Sequence, residues 1–126
     1  MEFVALVTLL LVLQYFSFSM FVGAARGKSG IQAPAMTGDP IFERAVRVHL
    51  NTLEQLVVVL PALWISGMYF KPMLAAGLGL VFFLGRLVYR QGYMKDPAKR
   101  STGMIIGFLA TLALIFTGAW GVISQL

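Results

Sequence analysis

The sequence predicts an all-α integral membrane protein, a bundle of four transmembrane helices, and three observations predict it. Hydrophobic residues make up 59% of the 126 positions and charged residues only 12%, about half of what a soluble domain uses to cover its surface. Four apolar stretches each supply the roughly 20 residues that a bilayer core takes. The segments between them are short, polar and rich in Gly, Pro and basic residues. Mean hydropathy is +0.84, and at this size a single domain over residues 1–126 is expected.

The same inventory excludes several chemistries. The chain has no Cys, so it has no disulfide, no thiolate metal site and no protein thiol nucleophile. It has one His, so no metal centre is expected, and no nucleic-acid partner either. Ten basic and five acidic residues leave a net charge of +5. On a membrane protein that surplus reads first as orientation and contact with lipid headgroups. An anionic ligand is the sharper reading, and only position can separate the two.

The first apolar stretch predicts a helix over 3–25 whose one strongly polar residue is Gln14. Glu2 stands where a cleavable signal peptide would carry a base, and the apolar run is long, so this helix is expected to be retained. Residues 26–39 form a polar loop. Asp39-Pro40 then reads as an N-cap followed by proline at the first helical position, and predicts a helix over 40–70. At 1.5 Å per residue it is about 46 Å long and exceeds the hydrocarbon core, so its first turns protrude. Pro61 inside it should kink it, which neighbouring helices tolerate in a membrane. Lys71-Pro72 makes a tight turn into a third helix over 72–93. Asp96-Pro97 repeats the cap-and-proline signal and starts a fourth over 97–124.

The bases divide unevenly among the loops. Arg26, Lys28, Arg44 and Arg47 flank the first, and Arg86, Arg90, Lys95, Lys99 and Arg100 flank the third; only Lys71 lies at the second. Loops one and three are therefore expected on the cytoplasmic side and both termini on the other side, in a bacterial inner membrane or one of endoplasmic-reticulum type.

Orientation explains bases in loops but not charge within helices. With Arg47 at zero and about 100° per residue, Asn51 falls at about +40°, Glu54 at about −20°, Arg44 at about +60° and Glu43 at about −40°. These five share one helix face, and an ionisable residue at the depth of Glu54 is a functional-site hypothesis by default. On the third helix, relative to Arg86, Tyr89 falls at about −60°, Arg90 at about +40° and Tyr93 at about −20°. Arg100 follows one turn into the fourth helix. Three helix ends thus offer guanidinium forks and phenols at one membrane boundary, a donor set suited to carboxylate or phosphate. An intramolecular network, with Glu43 and Glu54 neutralising Arg47 and Arg86, is the simpler reading, but two acids leave the other arginines unbalanced. Tyrosines also form interfacial belts. His49, at about +200°, points away from the polar face and reads as a packing residue, unless a neighbouring subunit's pocket abuts it.

The stretch Phe42-Glu43-Arg44-Ala45-Val46-Arg47-Val48-His49-Leu50-Asn51-Thr52-Leu53-Glu54 resembles the signature of the MAPEG family, the membrane-associated proteins of eicosanoid and glutathione metabolism. So does Gly85-Arg86-Leu87-Val88-Tyr89-Arg90-Gln91-Gly92-Tyr93, and the spacing to Arg26 and Arg100 agrees. The resemblance covers nearly the whole chain and is nearest to the branch of the microsomal glutathione transferases and the leukotriene synthase. It implies a homotrimer with glutathione, a co-substrate, bound between adjacent subunits. Arg47, Asn51, Glu54, Arg86, Tyr89 and Tyr93 would hold the tripeptide, with Arg26 and His49 reaching it from a neighbour, and Arg100 would stabilise the thiolate. Gln55 stands where the family often has tyrosine. Gly27 stands where the leukotriene synthase has a second arginine, which turns the expectation towards a general transferase or peroxidase.

The resemblance implies that a hydrophobic electrophile arrives through membrane lipid along the fourth helix. Ser101 offers a hydroxyl nearby, although its place in a first helical turn explains it equally well. The competing expectation is a non-catalytic lipid-binding scaffold of the same family; that branch has lost part of the arginine set, which this chain keeps at Arg47, Arg86 and Arg100. A small multidrug exporter would carry a carboxylate in the middle of its first helix, where this chain has Gln14.

Overall fold

The computed structural model describes all 126 residues. The chain forms α1 (Glu2–Ser29), α2 (Pro40–Tyr69), α3 (Pro72–Lys95) and α4 (Ser101–Ile123), with a 3-10 turn over Pro97–Arg100 leading into α4, and no strand. All four helices are long and apolar enough to cross a membrane.

Local chemistry sets most of the boundaries. α2 begins where the Asp39 carboxylate accepts the Phe42 N–H at 2.9 Å, with Pro40 at the first helical position, and it runs unbroken through Pro61 to Tyr69. α1 runs four residues beyond the expected Ala25. Gly27 does not break it; the stop is Gly30, whose φ of 74° is left-handed and whose N–H caps the Arg26 carbonyl at 3.0 Å. α3 likewise continues past Tyr93 to Lys95. The second Asp-Pro signal starts a tighter turn than expected. Asp96 caps the Ala98 N–H at 3.1 Å, and its own carbonyl accepts the Lys99 N–H at 2.8 Å, an i to i+3 bond of the 3-10 kind.

The α2–α3 hairpin is central, with α1 and α4 each packed against both of its helices. Val4, Val7 and Leu11 of α1 meet Leu56, Val59 and Leu63 of α2, with Phe82 of α3 and Leu114 of α4 completing the core. Large side chains such as Leu9, Phe16, Val57, Phe108 and Phe116 point outward and are exposed, as a surface facing lipid or another subunit requires. Lipid is as apolar as leucine, so close backbone approach and interhelical hydrogen bonds must hold such helices together. Both are present. α4 turns Gly103, Gly107, Ala110, Gly118 and Gly121 inward. Trp64 Nε1 donates to Thr8 Oγ1 at 2.9 Å across α1 and α2. The Ser66 and Thr117 hydroxyls pair at 2.7 Å across α2 and α4. Gln14, only 5% exposed, donates to the Phe83 carbonyl at 3.0 Å across α1 and α3.

Gly103 sets the closest crossing, because a Cβ there would overlap the Tyr89 backbone and the Gly85 carbonyl. Gly103→Val should therefore cost about 1–3 kcal/mol by overpacking. The measurement is the unfolding midpoint in detergent, with Gly77→Ala as control, since a Cβ at Gly77 meets nothing within 4 Å. Equal midpoints for the two variants would show that Gly103 does not set the crossing.

Candidate functional site

The C-terminal ends of α1 and α3, the N-terminal end of α2 and the 3-10 turn meet at one end of the bundle. Arg44 of α2 fastens the junction: its Nη1 donates to the carbonyls of Met94 at 3.0 Å and Lys95 at 3.4 Å. A cation on the last carbonyls of α3 also suits that helix's dipole.

Arg86 is the innermost charge at this end, only 2% exposed. Its Nη2 donates to Asn51 Oδ1 at 2.7 Å and to Thr52 Oγ1 at 2.9 Å. The Thr52 hydroxyl in turn donates to the Val48 carbonyl at 2.7 Å. The guanidinium carbon lies 4.1 Å from the centroid of the Tyr89 ring, and Nε has no partner. Tyr89 and Tyr93 follow outward, with ring centroids 5.6 Å apart. Tyr93 then borders a polar cleft of about 300 Å³ with Pro40, Glu43, Arg44, Arg47 and Pro97. Arg47 is exposed there, and Glu54, two turns further along α2, is exposed as well. Arg100 is exposed and folds back on its own turn, with Nη1 donating to the Pro97 carbonyl at 2.8 Å.

Arg26 and His49 stand apart from this set. Arg26 donates to the Ala35 carbonyl at 2.9 Å and lies 4.8 Å over the Phe42 ring. The His49 ring stacks on Tyr15 of α1, with centroids 4.6 Å apart and an interplanar angle of 14°. The chain thus brings Asn51, Arg86, Tyr89, Tyr93 and Arg47 together in succession; Glu54 and Arg100 lie exposed without contact to them, and Arg26 and His49 stand at the packing of α1 on α2.

Two expectations change, and one alternative falls away. Arg90 does not share the Arg86 face but turns to α1, 3.8 Å from the Phe21 ring centroid and 5.8 Å from that of Phe18. A wheel drawn on one helix cannot foresee a guanidinium drawn over the aromatic rings of another. Arg44 borders the cleft, yet its hydrogen bonds hold α3. The alternative of intramolecular neutralisation is absent, because the sole ion pair is the Met1 amino group with Glu2 at 3.2 Å. Glu43 instead accepts the Gly38 N–H at 3.0 Å, and Glu54 pairs with no base. Sequence reasoning also missed Thr52 and Tyr15. Thr52 lies about 140° from Arg47, outside the polar arc, and it is wholly buried. Gly27 is open: a Cβ there would meet nothing within 4 Å, so packing does not exclude a larger residue.

These groups suit a ligand with charges of both signs. Guanidinium forks match carboxylates bidentately, Glu54 can accept an ammonium, and Asn51 and the phenols supply neutral donors and acceptors.

Comparison with known proteins gives the wider context. The MAPEG family profile matches residues 4–120. An uncharacterized protein of Synechocystis is 42% identical over 97% of this chain and 89% of its own length. The human microsomal glutathione S-transferase 2 is 40% identical over 96% of this chain and 82% of its own. Bovine leukotriene C4 synthase is 36% identical over 96% and 81%. With these similarities along nearly all of its length, the chain belongs to the MAPEG family and is an integral membrane protein.

Proposed function

We propose that this protein is a membrane-bound glutathione transferase, with reduction of lipid hydroperoxides as a second use of the same thiolate. The observation that carries this reading is the pair of exposed charges on α2 that no ion pair within the chain neutralises: Arg47, which borders the cleft with Tyr93, and Glu54, two turns further along. Arg47 and Glu54 bind opposite charges of glutathione. Arg86 orients Asn51 and adds positive potential, and Tyr89 and Tyr93 close the inner wall. Relatives that are named for glutathione transfer support the substrate class. The functional assembly is a homotrimer, in which Arg26 and His49 of one copy complete the site of the next. The nine-to-one division of bases favours the cytoplasmic face for this end of the bundle.

The chemistry uses the substrate's thiol. A free thiol has a pKa near 8.5 and only its thiolate attacks. Arg100 supplies a permanent charge, and the helix start that it belongs to supplies a positive dipole end. Lowering the thiol pKa by about two units takes roughly 2.7 kcal/mol of differential stabilisation. The thiol releases its proton to water and the thiolate sulfur forms a bond to an electrophilic carbon. A halide then leaves with the bonding pair, or an opened epoxide oxygen takes up a proton. With a hydroperoxide, the sulfur takes the terminal oxygen as the O–O bond breaks, the alkoxide leaves with the bonding pair and takes up a proton to become the alcohol, and the thiol of a second glutathione then attacks the sulfenic sulfur, giving the disulfide and water. The electrophile is hydrophobic and reaches the site from the bilayer along α4. Detoxification and lipid-mediator synthesis both draw on this reaction class.

A second reading is the lipid-binding scaffold without catalysis. The bond from Arg100 to the Pro97 carbonyl favours it, since that nitrogen must turn to face a thiolate.

Three measurements test the proposal. Native mass spectrometry in mild detergent should show a trimer; monomer or dimer alone would overturn the shared site. Arg47→Ala should weaken glutathione binding at least about tenfold while the assembly survives, because losing one partner of a desolvated charge pair costs roughly 2–5 kcal/mol. Calorimetry that returns the wild-type affinity would remove Arg47 from the site. Arg100→Ala should bind glutathione with modest loss but raise the bound thiol's pKa. Thiolate absorbance at about 240 nm, titrated against pH, reads that shift, since the thiolate and not the thiol is the species formed as the proton leaves. A wild type with no thiolate at neutral pH and no turnover of halides, epoxides or hydroperoxides would leave the scaffold reading. An Arg100→Ala variant that keeps both would show that another group activates the thiol.

A further inference from the structure

On another side of the same bundle end, a cavity of about 380 Å³ opens between α1, α2 and α3, away from the Arg47 cleft. Its floor is apolar, made by Phe21, Ala24 and Ala25 of α1, Ala45 of α2 and Met94 of α3. Two cations border it: Lys28, exposed in the last turn of α1, and Arg90, half-buried on α3. Neither has an ion-pair partner in the chain. The Arg90 guanidinium lies over the Phe21 ring at 3.8 Å, which fixes its plane and supports its charge. Asp39 is the one acid at the cavity. Its carboxylate already accepts the Phe42 N–H as the cap of α2, so it offsets one of the two positive charges only in part.

Depth decides what such a cavity can take. Arg90 lies 18 residues from the start of α3 at Pro72, about 27 Å along the helix, at the edge of a hydrocarbon core roughly 30 Å thick. From Phe21 the same side of α1 continues towards the bilayer centre through exposed Leu13 and half-buried Leu10. A soluble anion would leave that apolar floor and track bare, whereas a phospholipid covers both, with its phosphate at the two cations and an acyl chain along α1.

We infer that the Lys28–Arg90 cavity is a binding site for the headgroup of an anionic phospholipid, separate from the Arg47 cleft. The site holds a structural lipid at the boundary of the bundle, and it depends on neither glutathione nor Arg100.

The test is lipid retention by the full-length protein in detergent, followed by native mass spectrometry, with phosphatidylglycerol and phosphatidylcholine of identical chains. A basic residue near an anionic lipid contributes about 1 kcal/mol, or roughly fivefold, so the wild type should prefer phosphatidylglycerol by at least about tenfold. Lys28→Gln and Arg90→Gln should each lose about fivefold of that preference, and the double variant should bind the two lipids alike. Lys28 is exposed at a helix end, so its variant keeps the test sound if loss of Arg90 unsettles the fold; Arg90→Lys should keep most of the preference. Equal retention of the two lipids by wild type would overturn the inference, as would a preference that survives the double variant. Loss of phosphatidylglycerol on adding millimolar inorganic phosphate would assign the cations to a free anion. Retention of neither lipid would mean that something else, such as a second copy, closes the cavity.

Discussion

The buried guanidinium of Arg86 is the constraint on which the site end of this bundle rests. An arginine inside a membrane helix is costly unless the protein supplies what water would. Here the supply is the Asn51 carbonyl oxygen, the Thr52 hydroxyl and the face of Tyr89. All three are neutral. The charge is solvated by dipoles and a ring rather than cancelled by a carboxylate, so its potential still extends into the surroundings. One residue thus locks α2 to α3, fixes the direction in which Asn51 points, and makes the neighbouring cleft attractive to anions. A carboxylate in place of Asn51 would give a stronger lock and lose the field.

Other polar contacts share the locking along the bundle. Thr8 with Trp64 and Ser66 with Thr117 tie the end remote from the site, and Gln14 with the Phe83 carbonyl ties the middle. Each joins a different pair of helices by a single neutral hydrogen bond, a modest contribution in lipid. The glycines of α4 add close backbone approach to α2 and α3. This division leaves the site end free to carry charge, because the bundle does not rely on charge for cohesion elsewhere.

The parts legible in the sequence were those decided locally. Asp39-Pro40 announced α2 because a cap acts within three residues. Arg47, Asn51 and Glu54 fell on one arc because helical spacing is a fixed ruler. The illegible parts were decided by another helix. Arg90 looked like a member of the Arg86 face until α1 supplied Phe18 and Phe21. Thr52, off the polar arc, became an acceptor only because Arg86 reaches it from α3. The end of α1 misled for another reason: the polar residues from Arg26 onward read as loop, but the helix stops only where Gly30 adopts the left-handed cap. The 3-10 turn at Pro97 carried the same Asp-Pro signal as α2, and nothing in the dipeptide itself distinguishes the two outcomes.

The directions of the site residues bear on assembly. His49 lies about 200° from Arg47 around α2, and the structure keeps that separation, with His49 on α1 and Arg47 at the cleft with Tyr93. Arg47 and Glu54 are exposed in a single subunit, and a carboxylate at that depth is expensive against lipid. In the proposed assembly a neighbouring copy removes the exposure by laying its α1 side, with Arg26 and His49, over the Arg47 side. That contact joins two different faces, so it is heterologous. Contacts of this kind close into a ring when the rotation allows it, and otherwise run on as a filament. In a bilayer every copy shares one membrane normal, which confines the rotation to that axis and favours closure. On the proposed reading each ligand then sits between two copies, and the ring has as many sites as subunits. The His49 ring holds α1 against α2 through Tyr15, and on the proposed reading its free edge faces the neighbour's ligand as well.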